Sequence, residues 1–123
     1  MNEKKCWVAA NVPGAGPCDG RLIRAHLVPQ QLLRRELGVE GRRAAEDERS
    51  WVWCCGGMTG LGGHHGLIDV RARVHDPLRI ERRWLPPAVE EFAAEKDPLC
   101  KQPGAISVYL ERTYGYQEEM QHG

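Results

Sequence analysis

The sequence of 123 residues contains no long apolar run, and its amino terminus lacks the hydrophobic stretch of a secretory signal. These two absences argue against a membrane-spanning helix and predict an intracellular, cytoplasmic protein. The chain also has no internal repeat and no low-complexity tract. We therefore expect a single domain over residues 1–123, with a core modest enough that a bound metal would add stability.

The chain has no net charge, because 17 basic and 17 acidic residues balance. A zero balance argues against strong nonspecific binding of nucleic acid, but the charges are unevenly distributed. Residues 21–83 contain twelve arginines, no lysine and eight acids, whereas residues 84–123 contain three basic and seven acidic residues. Arginine suits bidentate contacts with phosphate, so the basic segment is compatible with a phosphate-containing ligand as well as with an ordinary solvated surface.

No C-x-x-C pair occurs among the five cysteines. An odd number of thiols in a reducing compartment favours metal ligation over disulfides. Cys6 and Cys18 flank a run rich in proline and glycine, and we expect a short strand over residues 7–9 and a hairpin that brings the two sulfurs together. Each of the two could instead be a free cysteine packed in the core.

The densest group of reactive side chains lies in residues 51–69. Trp51 and Trp53 alternate as in a half-buried strand that ends at Cys55, and five glycines then precede the adjacent His64 and His65. Glycines leave the backbone free to bend around an ion, and cysteine with histidine at such spacing suits zinc. An incidental glycine-rich loop beside a core strand is the alternative.

A helix is predicted to begin near His65 and to continue to about residue 74. His65 and Asp69 are four positions apart, so both would lie on one helix face and could reach one metal.

The rest of the pattern predicts a strand over residues 21–28, a helix over Gln30–Leu37 that a glycine stops, and an exposed loop over residues 38–50. Two further helices are predicted over residues 88–96, after a pair of prolines, and over Ala105–Tyr114.

Together these residues resemble the HNH endonucleases, also called ββα-metal or His-Me finger nucleases, in the small zinc-stapled form of bacteriophages and prophages. Residues 24–29 match the first family motif, residues 47–55 resemble the second, and the two adjacent histidines resemble the third. The resemblance covers residues 6–75. It implies an α+β fold, with a treble-clef-like ββα-metal core, a helix inserted in the hairpin and a helical C-terminal extension over residues 76–123.

The resemblance implies hydrolysis of phosphodiester bonds in DNA. His26 would be the general base that deprotonates a water molecule, and Ser50 would orient it. Mg²⁺ or another divalent cation on His65 and Asp69 would stabilise the charge that develops on the phosphate. Flanking phosphates would be held by arginines such as Arg21, Arg24, Arg49 and Arg71.

A separate structural zinc would bind Cys6, Cys18, Cys55 and His64. Cys54 competes with Cys55, which we prefer because its strand parity matches that of the two tryptophans. The roles of His64 and His65 follow the family analogy and could be exchanged.

Two positions depart from the family pattern. Ala25 stands where the family commonly has a metal-binding aspartate, and Ser50 stands where it has an asparagine. A serine can still form hydrogen bonds, whereas the missing carboxylate leaves Asp69 as the replacement ligand. The second hypothesis is therefore a catalytically silent, zinc-stapled module that binds DNA or a phage or host protein. An unrelated zinc-binding regulator is the third.

Family habit, rather than any residue of this chain, would place the protein with phage packaging or recombination proteins in a bacterial host cell. No membrane partner is expected, and the sequence leaves the oligomeric state open.

Overall fold

A computed structural model of the chain describes residues 4–57, 63–68 and 80–115, apart from the side chains of residues 66 and 67. In these ranges two antiparallel strands are surrounded by five short helices and several 3-10 turns, which confirms the predicted α+β class. None of the helices in these ranges is both long enough and apolar enough to cross a membrane.

The sheet is a hairpin of β1 (Leu22–His26) and β2 (Trp51–Cys55). Its register places Leu22 opposite Cys55 at one end and His26 opposite Trp51 at the other. The strand predicted to end at Cys55 is confirmed. The first strand ends at His26, earlier than predicted.

The two faces of the hairpin differ, because residues directly opposite each other in an antiparallel pair share a face. The core face carries Ala25, Val52 and Cys54, all buried, together with Ile23. We call the other side the tryptophan face, which consists of Leu22, Arg24, His26, Trp51, Trp53 and Cys55.

The amino-terminal segment corrects the prediction of a strand over residues 7–9. It forms a helix, α1 (Trp7–Asn11), in which the Asn11 amide donates a hydrogen bond to the Trp7 carbonyl at 2.9 Å. Val8 of this helix is fully buried in the hydrophobic core, whereas residues 9–11 are exposed, so a single apolar position anchors the helix and leaves no helical pattern in the sequence. No hairpin joins Cys6 to Cys18, which are connected by this helix and a loop.

The first helix between the strands, α2 (Gln30–Leu37), has the predicted bounds and ends at Gly38, whose φ of 62° suits glycine. Leu33 of α2 is fully buried. The helix inserted in the hairpin, which the family resemblance implies, is therefore present.

The prediction of an exposed loop over residues 38–50 is wrong. This segment contains α3 (Gly41–Glu46) between two 3-10 turns. Ala44 and Ala45 are buried, and Gly41 lies so close to α2 that a Cβ atom there would come within 2.4 Å of the Leu33 carbonyl oxygen. These three small residues let α3 pack directly on α2. The charged residues of α3 face solvent.

The C-terminal helices are α4 (Pro87–Lys96) and α5 (Ala105–Tyr114), close to the predicted bounds. Proline suits the first position of α4, since it has no N–H to leave unsatisfied. Both helices contribute to the hydrophobic core of the hairpin, and the buried Tyr114 hydroxyl donates a hydrogen bond to the Leu27 carbonyl at 3.0 Å.

Candidate metal centre and hairpin site

Four side chains from separate parts of the chain meet at the end of the hairpin where β2 finishes. Their ligand atoms, three sulfurs and one ring nitrogen, all lie within 4.8 Å of one another. The four residues are Cys6, Cys18, Cys55 and His64. All five cysteines of the chain are free thiols, so these three are available as ligands.

The distances in this cluster fit a tetrahedral metal site. Nδ1 of His64 lies 3.3 Å from the sulfur of Cys6 and 4.0 Å from that of Cys18, and the sulfurs of Cys6 and Cys55 are 3.9 Å apart. Tetrahedral zinc with ordinary bond lengths separates two sulfurs by about 3.8 Å and a sulfur from a nitrogen by about 3.5 Å. The cluster can therefore hold a metal ion with little rearrangement.

The tautomer of His64 is set by a backbone group. Its Nε2 donates a hydrogen bond to the Ala15 carbonyl oxygen at 2.8 Å, so the hydrogen resides on Nε2 and the lone pair of Nδ1 faces the sulfurs. A metal-binding histidine usually donates its other ring N–H in this way. The arrangement favours ligation by His64.

Backbone N–H groups point at two of the sulfurs. The N–H of His64 lies 3.2 Å from the sulfur of Cys55, and the N–H of Cys55 lies 3.5 Å from that of Cys6. Burial alone would raise the pKa of the Cys55 thiol, but hydrogen bonds from the backbone of His64 and Asp19, together with those from the Cys18 and Cys6 thiols, outweigh burial and lower it. At Cys55 these contacts favour the thiolate, the form that binds zinc, whereas burial and the neighbouring Cys6 and Cys55 thiols raise the pKa of the Cys18 thiol.

The approach of His64 to Cys55 depends on Gly63. This glycine has a φ of 59°, and a Cβ atom there would come within 2.6 Å of the Cys55 carbonyl oxygen. Only glycine tolerates both this positive φ and the lack of space for a Cβ atom, so the structure requires glycine at this position of the glycine-rich stretch.

Strand parity distinguishes the adjacent thiols. Cys55 belongs to the tryptophan face and to the metal cluster, whereas Cys54 pairs with Ile23 on the core face. Burial there raises the pKa of the Cys54 thiol. The structure therefore brings the preferred cysteine into the cluster and leaves its neighbour in the core.

His26 lies at the opposite end of β1 from the metal cluster, about 13 Å along the strand at the usual rise per residue. Its Nε2 donates a hydrogen bond to the Ala45 carbonyl at 3.2 Å, and the imidazole is half-buried. Because a carbonyl can only accept, this bond requires the hydrogen on Nε2. In the neutral ring Nδ1 then carries the lone pair and can act as a base.

The side chain of Ser50 lies close to the Ala45 carbonyl, in the 3-10 turn that follows α3. Its fully buried hydroxyl donates to the Asp47 carbonyl at 2.7 Å, and it also lies 3.3 Å from the Ala44 carbonyl oxygen and 3.4 Å from that of Ala45. The predicted orienting role of Ser50 would thus act on His26 through the end of α3.

Replacing Ser50 with alanine is expected to lower the free energy of unfolding by about 0.5–1.5 kcal/mol, the net value of one hydrogen bond. The loss stays small because the Asp47 carbonyl still accepts the Ser50 N–H at 2.9 Å. Urea unfolding followed by circular dichroism measures it. Ser107→Ala is the control, because it also removes one serine hydroxyl that forms a hydrogen bond within the protein. Ser107 lies near the start of α5, and its hydroxyl donates to the Asp97 carboxylate. A loss above about 3 kcal/mol would mean that Ser50 supports more than this turn.

Of the two residues predicted to bind the catalytic cation, His65 and Asp69, the structure describes only His65. His65 is buried and follows His64 of the cluster in a 3-10 turn, Gly63–Leu67, and not in the predicted α-helix. Asp69 and the rest of that predicted helix lie outside the described residues. Ala25 offers no ligand atom, and its position on the core face does not share the face of His26.

The predicted phosphate-binding arginines have different surroundings. Arg49 forms ion pairs with Asp47 at 2.8 Å and Glu95 at 3.0 Å, so its charge is already matched within the protein. Its hydrogen bond to Asp47 lowers the pKa of that carboxyl. Arg21 and Arg24 are exposed. Arg71, the fourth arginine named above, lies outside the described residues.

No protein-family model matches the chain, and no curated protein or solved structure shows significant similarity to it. The resemblance to HNH nucleases therefore stays a prediction from the sequence motifs.

Proposed function

We propose that this chain is a zinc-stapled, HNH-like endonuclease that hydrolyses phosphodiester bonds in DNA with the help of a divalent cation. The observation that carries the proposal is the hydrogen bond from His26 to the Ala45 carbonyl. It supports a general-base role, because it orients the ring and puts the hydrogen on Nε2, so that the lone pair of the neutral imidazole is on Nδ1.

The reaction begins when Nδ1 of His26 removes one proton from a water molecule next to the phosphate. The resulting hydroxide attacks phosphorus and forms a new P–O bond, and the opposite P–O bond breaks. A second water molecule gives a proton to the leaving oxygen, and the histidine later returns its own proton to solvent. A divalent cation held by His65 and Asp69 would stabilise the negative charge that develops on the phosphate.

The structural metal that we propose for the cysteine–histidine cluster is zinc, because three thiolates and one imidazole suit zinc better than magnesium. Binding would join the start of α1, the loop before β1, the end of β2 and the turn that carries both histidines. The bound zinc would thereby hold His65 in a defined place beside the hairpin. This zinc would have no role in the chemical step, since all four of its ligands come from the protein.

The proposal is tested by incubating the protein with supercoiled plasmid and Mg²⁺, Mn²⁺ or Ni²⁺. Nicking by the wild-type protein that is absent from the His26→Ala variant supports it. Binding of DNA without cleavage under any metal would instead favour the silent binding module, for which the absence of a carboxylate at Ala25 is the specific observation.

A further inference from the structure

We infer that Arg24 is the residue that binds the DNA phosphate beside His26, and that Arg49, though equally basic, makes no DNA contact. The inference builds on the proposed nuclease function of the hairpin.

Arg24 occupies the position next to His26 on the tryptophan face. The two residues are separated by one position in β1, so their side chains leave the same face about 6.6 Å apart. The Arg24 side chain is exposed. A guanidinium at this place would contact the same segment of DNA backbone as the imidazole.

The side chain of Arg24 is held in position by an aromatic ring. Its guanidinium carbon lies 4.5 Å from the ring centroid of Trp51. The Trp51 ring is itself fixed, because its Nε1 donates to the Glu46 carbonyl at 3.3 Å and it meets Trp53 edge to face at 5.1 Å. Stacking uses the flat face of a guanidinium and leaves its N–H edge for a phosphate.

The surrounding charge favours an anion. Lys4 places its ammonium 5.0 Å from the ring centroid of Trp53, so a second cation lies over the same face. The six residues of the tryptophan face include no acid. In the described ranges neither Arg24 nor Lys4 forms an ion pair with a carboxylate, so both charges are available to a ligand.

Arg49 differs in each of these respects. Two carboxylates already pair with its guanidinium, which also lies 5.7 Å from the ring centroid of Phe92 in the core. Its contacts join the turn before β2 to α4. We therefore assign Arg49 to the stability of the fold.

The test measures binding of a fluorescent DNA duplex by anisotropy over a series of KCl concentrations, without divalent cations so that no cleavage is needed. Each phosphate contact contributes about 0.9 to the slope of log affinity against log salt. We expect Arg24→Gln to weaken binding and to reduce the slope by about one, with zinc content unchanged. Arg49→Gln should keep the wild-type slope and lower the urea midpoint.

The experiments distinguish failure of the Arg24 phosphate assignment from failure of the proposed nuclease function. An Arg24→Gln variant with the wild-type slope, or a wild-type protein that does not bind the duplex, overturns the phosphate assignment. If the wild-type protein binds with an Arg24-dependent slope but cuts plasmid with none of the metals, the phosphate assignment stands and the nuclease function fails. Arg24→Lys separates charge from stacking, because it should preserve the slope and still lower the affinity.

Discussion

Replacing Cys55 with serine is expected to abolish zinc binding and to leave a molten or insoluble protein. A structural zinc contributes about 10–16 kcal/mol of apparent binding free energy in small peptides. The entire free energy of unfolding of a typical domain is about 5–15 kcal/mol. Cys55 is fully buried at the end of β2 and receives the His64 N–H, so its loss affects both the metal and the hairpin end.

Zinc content by mass spectrometry and thermal unfolding by circular dichroism measure this effect, and the wild-type protein should contain one zinc per chain. Cys54→Ala and Cys100→Ala are matched controls, because both remove a buried thiol outside the cluster. Each should retain the zinc and lose only the packing of a small side chain. A folded Cys55→Ser variant that still binds zinc would remove this residue from the site.

Replacing His26 with alanine is expected to reduce the rate of plasmid nicking by about 10²–10⁴, the usual contribution of a general base. The fold should survive, because the side chain is only half-buried and lies at the end of β1. Single-turnover nicking rates measure the loss, and zinc content and urea midpoint show whether the fold is retained.

His26→Gln distinguishes a catalytic role from a structural one. Glutamine can still donate a hydrogen bond to the Ala45 carbonyl but cannot accept a proton from water near neutral pH. The variant should therefore be as inactive as His26→Ala and more stable than it. Nicking at the wild-type rate by the glutamine variant would exclude His26 as the base.

Local sequence patterns correctly predicted the helices and the strand that have a clear periodicity or clear flanking residues. The bounds of α2 and α5 follow from helical spacing between a proline or glycine at each side, and β2 follows from alternation of its aromatic residues. The same patterns missed α1 and α3. These helices are short, and they are stabilised by tertiary burial of a few small or apolar side chains rather than by any periodic stripe.

The cysteine–histidine cluster was predicted from residue type and order, because few side chains can bind zinc and strand parity separates Cys54 from Cys55. The backbone carbonyls of Ala15 and Ala45 were not predicted, although they set the tautomers of His64 and His26. A carbonyl is present in every residue, so no sequence signal identifies the two that matter.

The sequence by itself therefore determined which side chains can bind a metal and which can serve as a base, since that chemistry belongs to the residue type. Only the tertiary structure decided how those side chains are presented. It paired Arg49 with the distant Glu95 and placed the Arg24 guanidinium over the ring of Trp51. It also set the tautomers of His26 and His64 through backbone carbonyls. The physical reason is that charge pairing, stacking and tautomer choice depend on neighbours in space, most of which are remote in the chain.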